Sequence, residues 1–190
     1  QLKLVLDGTA DLAFIVPGYT PDRFNENTVI ELPGMYRTME EATLVYSRLI
    51  EKNGLKGYQD LIVVGAYATE PESIHTRSPV STLADLRDKR IRVNNTIEGA
   101  ALASLGATPV ELPINKITAA IGSGEIDGAT VPPAPLIEFG ISRMASNHYM
   151  LRVGSAPLAI VMNRKKFESL SKAGQGLIRK YSGEWTAQQY

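Results

Sequence analysis

The stretch 83–130 constrains this chain more than any other. It reads LADLRDKRIRVNNTIEGAALASLGATPVELPINKITAAIGSGEIDGAT. Two short strands alternate with two helices and a third strand closes the unit, the pattern of a parallel α/β sheet. Its first strand, 90–94, places Arg92 near the carboxyl end, just before a helix. Ligands of such sheets sit in the crevice outside the carboxyl ends of the strands. A fixed cation and the positive end of a helix dipole therefore face the same crevice, a natural site for a small anion.

Within that strand Arg90, Arg92 and Asn94 share one face, and Ile91 and Val93 the other. The planar guanidinium fork of Arg92 fits a carboxylate through two parallel hydrogen bonds. Arg90 stands earlier and is expected to be solvated or structurally paired. Asn94, Asn95 and Thr96 precede the helix, with Thr96 read as its cap, and are candidates for ligand contact. Tyr19, in the loop after an early strand, is a candidate cleft wall. Val131 and Pro132, where the closing strand ends, are candidates for an apolar wall.

Elsewhere the signals are local. Residues 1–6 read as the end of a helix, 10–16 as a strand, and 38–52 as a helix with a Thr38–Glu41 capping box and Gly54 at C′. Residues 60–67 form a strand of the buried type, 70–80 a polar crossover between lobes, and 82–87 a short helix. A helix is expected within 137–144, and two strand-like runs within 150–162. The 171–185 segment reads as one helix burying Leu177, Ile178, Tyr181 and Trp185. Gly122, Ser123 and Gly124 follow a helix instead of preceding one, so they read as a C-cap and turn, not a phosphate loop. The chain opens in mid-helix and ends without a stop signal, so both ends are expected to be cut.

Charge and composition exclude several classes. Twenty basic and twenty acidic residues cancel, without a basic run, which leaves no footprint for nucleic acid. No apolar run approaches the roughly 18 residues that span a bilayer. The absence of cysteine removes disulfides, thiol nucleophiles and Cys-ligated zinc, and suits cytosol or bacterial periplasm. His75 and His148, the only histidines, fall in separate expected loops without metal-ligand spacing. There is no G-x-S-x-G elbow. Glu40–Glu41 read as a cap, Glu70–Glu72 as a solvated loop, and His75 beside Arg77 as surface polarity. Neither a catalytic group nor a cofactor is expected.

Taken in order, LADLRDKRIRV, LGATPVELP and IGSGEIDGA resemble the solute receptors of tripartite ATP-independent periplasmic (TRAP) transporters, the DctP type. The earlier DGTADLAF, GYTPDRF and ELPGMYRTMEEA, and the later Val161, Met162, Asn163, Phe167 and Leu170, are similar to the same family. The resemblance implies a two-lobed periplasmic-binding-protein-like α/β fold with a ligand cleft between the lobes and an incomplete first lobe. The lobes are expected as 1–72, then 73–156, with 157–190 returning to the first lobe and starting a hinge helix. It implies a periplasmic receptor that takes a small organic acid to a TRAP membrane permease, with the ligand-carboxylate arginine falling on Arg92. Val131 stands where many members have asparagine, and 70–73 lacks a second arginine found in sialic-acid-type members. Both departures point to a monocarboxylate with an apolar or aromatic body. A sheet lacking its first strand would expose an edge and invite a dimer or domain swap. Two alternatives stand beside this reading: the effector-binding domain of a LysR-type transcriptional regulator, preceded by a DNA-binding segment, and a small hydrolase or transferase, for which the chain offers no nucleophile–base pair.

Overall fold

The computed structural model describes residues 1–189 and divides them into two units. Among the described residues the strands, in chain order, are β1 (Leu12–Ile15), β2 (Leu61–Ala68), β3 (Ser73–Thr76), β4 (Arg90–Val93), β5 (Thr108–Glu111), β6 (Gly128–Val131), β7 (Asn147–Tyr149) and β8 (Pro157–Asn163).

The first unit comprises 1–30, 36–69 and 157–189. Its sheet has the order β1-β8-β2, and both pairings are antiparallel. The central strand β8 alternates: Ala159, Val161 and Asn163 are buried, Leu158, Ile160 and Met162 only partly. The buried face meets Tyr46, Phe24, Ile30 and Leu61 in one apolar cluster. The Met39–Glu51 helix turns Ala42, Thr43 and Tyr46 inward, and the Thr43 hydroxyl accepts from Ala68 N–H at 3.0 Å. The Thr38 hydroxyl caps this helix through Glu41 N–H at 3.1 Å, while the Glu41 carboxylate accepts from Arg37 N–H, not from Thr38. The left-handed residue after the helix is Asn53, at φ 54°, and not the expected Gly54.

The expected 171–185 helix is two helices, Lys172–Lys180 and Glu184–Ala187. Gly183 breaks it at φ 66°, ψ −134°, with the Glu51 carboxylate where a β-carbon would stand and accepting from Glu184 N–H at 2.9 Å. The break leaves Leu177, Tyr181 and Trp185 exposed, against the expectation of burial.

The second unit comprises 31–35 and 70–156. Residues 31–35 and 70–72, expected in the first lobe, therefore belong to the second unit. Glu72 pairs its backbone with Gly154 and Val153, and Gly154 lies against the Glu31 carbonyl. The sheet order is β5-β4-β6-β3-β7. β4 runs parallel to β5 and β6, as the 83–130 pattern requires, whereas β3 is antiparallel to β6 and β7. Ile74, Leu86, Ile91, Val93 and Leu102 form one apolar cluster, and Ile117, Ile121, Ile126, Ala129 and Val131 another.

Strand β3 corrects the reading of 70–80 as an irregular crossover. Its sequence is polar, Ser-Ile-His-Thr, yet all four residues are buried. Burial is tolerable because the His75 ring and the Thr76 hydroxyl are hydrogen-bonded, as buried polar groups must be. The helix expected within 137–144 starts earlier, as Pro133–Glu138, because Pro133 fits a first helical position; a short 3-10 turn, Ile141–Arg143, follows. The runs expected within 150–162 resolve into β8 alone, with β7 just ahead of them.

Gly154 yields a stability prediction. It sits at φ 135°, where an added β-carbon would lie 2.5 Å from the Glu31 carbonyl oxygen. Gly154→Ala is expected to lower unfolding stability by roughly 2–3 kcal/mol, combining a strained dihedral with a backbone clash. A urea midpoint unchanged from the parent protein would contradict this.

Candidate functional site

The site is built around Arg92, which is 1% exposed. Its strand β4 lies between two parallel neighbours, so three carboxyl ends stand side by side. The guanidinium spans them. Nε donates to Leu112 O, just past β5, at 2.7 Å; Nη1 donates to Thr130 O on β6 at 3.0 Å; Nη2 donates to Asn94 Oδ1, just past β4, at 3.2 Å. A delocalised, weakly hydrated cation with forked donors is the side chain suited to such a place.

Asn94 faces Arg92 with its oxygen, and its buried Nδ2 has no hydrogen-bond partner. The cap of the Thr96–Ser104 helix is Asn95, whose Oδ1 accepts from Glu98 N–H at 2.9 Å. Thr96, read as the cap, is the first helical residue and is exposed. Val131 ends β6 fully buried, and Pro132 is the N-cap of the Pro133–Glu138 helix. Arg92, Asn94 and Thr130, next to Val131, thus share one hydrogen-bonded assembly. Tyr19 belongs to the first unit, where it is 45% exposed and lines a groove with Leu2, Leu6, Val16 and Phe24. Arg90 pairs with Asp127 through two side-chain hydrogen bonds of 3.0 and 3.1 Å, as its structural reading required.

Two parts of this assembly escaped the sequence reading. The first is a set of buried carboxyls. Glu31, Glu72 and Glu98 are 2%, 2% and 1% exposed. Glu98 Oε2 accepts from Asn94 N–H at 2.7 Å and from the Thr130 hydroxyl at 2.9 Å. The Glu72 carboxyl lies within hydrogen-bonding reach of Glu98 and Thr130, so the solvated-loop reading of Glu70–Glu72 fails for Glu72. Burial, reinforced by the Glu98 charge, pushes Glu72 well above the usual carboxylate range, although Arg92 pulls the other way. Burial, again with Glu98, pushes Glu31 up to about 7.

The second is a histidine pair. His75 and His148, placed by the sequence reading in separate loops, lie opposite each other on β3 and β7. Their Nδ1 atoms are 2.8 Å apart, and His75 Nε2 lies 3.1 Å from Val131 O. If Nε2 carries the proton that meets Val131 O, His75 Nδ1 is the acceptor from His148. Burial lowers the His75 pKa, and His148 adds to that shift. His75 is thus an anchor beneath the end of β6, not surface polarity. The only signal for it was the alternation in SIHT, too short to register.

Among the described residues no group of three or more His, Cys, Asp or Glu could hold a metal ion. Among the same residues no helix is long and apolar enough to cross a membrane.

The model of the bacterial extracellular solute-binding proteins, family 7 (DctP), matches residues 1–190. A TRAP solute-binding protein from a marine metagenome, specific for aromatic acid ligands and bound to metahydroxyphenylacetate, is similar with a TM-score of 0.93 and 28% identity, over 99% of this chain and 61% of that one. A TRAP periplasmic solute-binding protein from Bordetella bronchiseptica, with (R)- and (S)-mandelate, has a TM-score of 0.87 and 25% identity, over 98% and 61%. The 2,3-diketo-L-gulonate-binding periplasmic protein YiaO of Escherichia coli K12 is 29% identical over 98 residues, 51% of this chain and 30% of that protein. The chain therefore spans under two thirds of the length of these relatives.

Proposed function

Because the chain belongs to family 7 of the bacterial extracellular solute-binding proteins, the DctP type, we propose that it captures a small organic carboxylate at Arg92 outside the cytoplasm and delivers it to a TRAP membrane permease. The observation that carries this is the buried guanidinium beside an amide donor, Asn94 Nδ2, that has no partner. An anion is the partner that such a pair of donors would take, because an unmet buried donor is costly and a charge-assisted bond is strong. Asn94, Val131 and Pro132 are the proposed neighbours of the ligand on this unit. The family match along the whole chain favours transport over the regulator reading. An enzyme has no support either, since these relatives are transport receptors. A dimer or strand swap finds no support in these comparisons.

The finer proposal is a monocarboxylate with an apolar or aromatic body. Val131 supports it, being an apolar side chain at the end of β6. The ligands of the two similar solved proteins, an aromatic acid and mandelate, point the same way. The name of the Escherichia coli relative points to a sugar acid instead, so a ligand panel decides. A thermal-shift screen against benzoate, mandelate, D-glucuronate and succinate is the test. A ligand at 100 times its dissociation constant stabilises the folded state by about 2.7 kcal/mol. Shifts with benzoate or mandelate are expected. A preference for succinate or glucuronate overturns the apolar-body proposal and leaves the receptor reading standing.

A further inference from the structure

Glu31, Glu72, Glu98 and the Arg92 guanidinium are all buried in the second unit, three carboxyls to one guanidinium. Fully ionised, the group would carry two uncompensated negative charges out of water, which proteins avoid by retaining protons. A ligand carboxylate on Arg92 would add one more negative charge to the same enclosure. Resting on the carboxylate-receptor reading, we propose that the Glu31–Glu98–Glu72 cluster takes up a proton when a carboxylate occupies Arg92, so that capture is coupled to protonation.

The wiring is explicit. Asn94 and Thr130 each bond both partners: Asn94 accepts from Arg92 through Oδ1 and donates its N–H to Glu98 Oε2, while Thr130 accepts from Arg92 through its carbonyl and donates its hydroxyl to Glu98 Oε2. The charge on Arg92 is thus two hydrogen bonds from Glu98. Glu98 in turn acts on Glu31 by its charge and on Glu72 by charge and hydrogen bond. Glu31 Oε1 and Glu72 Oε2 are buried without hydrogen-bond partners, so a proton on either breaks no existing bond.

The groups acting on the cluster come from each element around it: Arg92 from β4, Thr130 from β6, Glu98 from the Thr96–Ser104 helix, Glu72 ahead of β3, and Glu31 from the Thr28–Glu31 turn of helix. His75, next on β3, turns to Val131 O and His148. Glu31, raised by burial to about 7, is the member poised to change state near neutral pH; burial and the Glu98 charge also push Glu72 well above the usual carboxylate range.

The experiment is isothermal titration of the protein with benzoate, mandelate and D-glucuronate, in phosphate and in Tris at pH 7, and then across pH 6–8. If bound carboxylate raises the responding pKa by about one unit, uptake at pH 7 is about 0.4 proton, and the dissociation constant rises about fivefold from pH 6 to pH 8. Glu31→Gln keeps the shape and removes the titration. It is expected to bind without buffer dependence and with a flatter pH profile. Glu72→Gln, which leaves Glu31 free to titrate, is expected to leave the uptake in place. Binding whose heat is independent of the buffer overturns the coupling while leaving the receptor intact. Uptake that persists unchanged in Glu31→Gln overturns the assignment to this cluster. No binding by any of the three overturns the Arg92 receptor reading and the coupling with it.

Discussion

Arg92→Ala is expected to cost roughly 3–5 kcal/mol of folding stability and to abolish carboxylate binding. The size follows from what the guanidinium holds. Its three donors satisfy Leu112 O, Thr130 O and Asn94 Oδ1, one at the carboxyl end of each parallel strand. Alanine would remove all three bonds, one to a buried acceptor and two to partly buried ones, and would take the cation from beside Glu72. Removing one side of a buried charged assembly is among the most destabilising single changes, at about 3–5 kcal/mol. For a chain of this size that corresponds to roughly 6–20 °C in melting temperature. Arg92→Lys separates the two roles. It keeps the charge but has no fork to span three strand ends, so it is expected to be less stable than the parent, more stable than Arg92→Ala, and still responsive to ligand. A melting temperature for Arg92→Ala within about 2 °C of the parent protein would refute the bridging role, whatever happens to binding.

That double role explains what was legible in the sequence. The parallel part of the second sheet was readable because apolar strands and capped helices alternate over 83–130, and because Arg92 stands at a strand end. The turn at Gly124 was equally local, whereas Asp127, the partner of Arg90, lies 37 residues away and was not singled out. What the sequence hid lies where tertiary pairing overrides local polarity. β3 reads as a loop because Ser73, His75 and Thr76 are polar, and the His75 ring is an interior group only through Val131 O, 56 residues away. Glu72 reads as a solvated loop residue, and nothing in the sequence singles out Glu98. Their burial depends on Thr130 and Arg92, the latter lying twenty residues from Glu72 in the chain. The helix after Ser171 was misread for a similar reason: Gly183 is unremarkable in sequence, and the Glu51 carboxylate that meets it comes from a distant helix.

The buried carboxyls also determine how stability responds to pH in the absence of ligand. Folding moves Glu31 from 4.5 to about 7. Between those values the folded protein holds a proton that the unfolded chain has released, so rising pH favours unfolding. The contribution is complete below about pH 4.5 and is lost as pH rises through 7. Two and a half units correspond to about 3 kcal/mol. Two other sets of groups act with the opposite sign. Asp85 and Asp127, lowered by hydrogen bonds from Ser81 and from Arg90 respectively, lose stability only as pH falls below the ordinary carboxylate range. His75, lowered by burial, gains stability as pH rises toward 6.5 and masks part of the Glu31 slope. The difference between the parent protein and Glu31→Gln removes both, because the variant retains them. Urea unfolding of the pair is expected to show the parent losing about 3 kcal/mol relative to Glu31→Gln between pH 4.5 and pH 8, with the steepest change between pH 5 and 7. A difference that stays constant across that range would mean that Glu31 ionises equally in the folded and unfolded chains, and that its burial beside Glu98 carries no electrostatic cost.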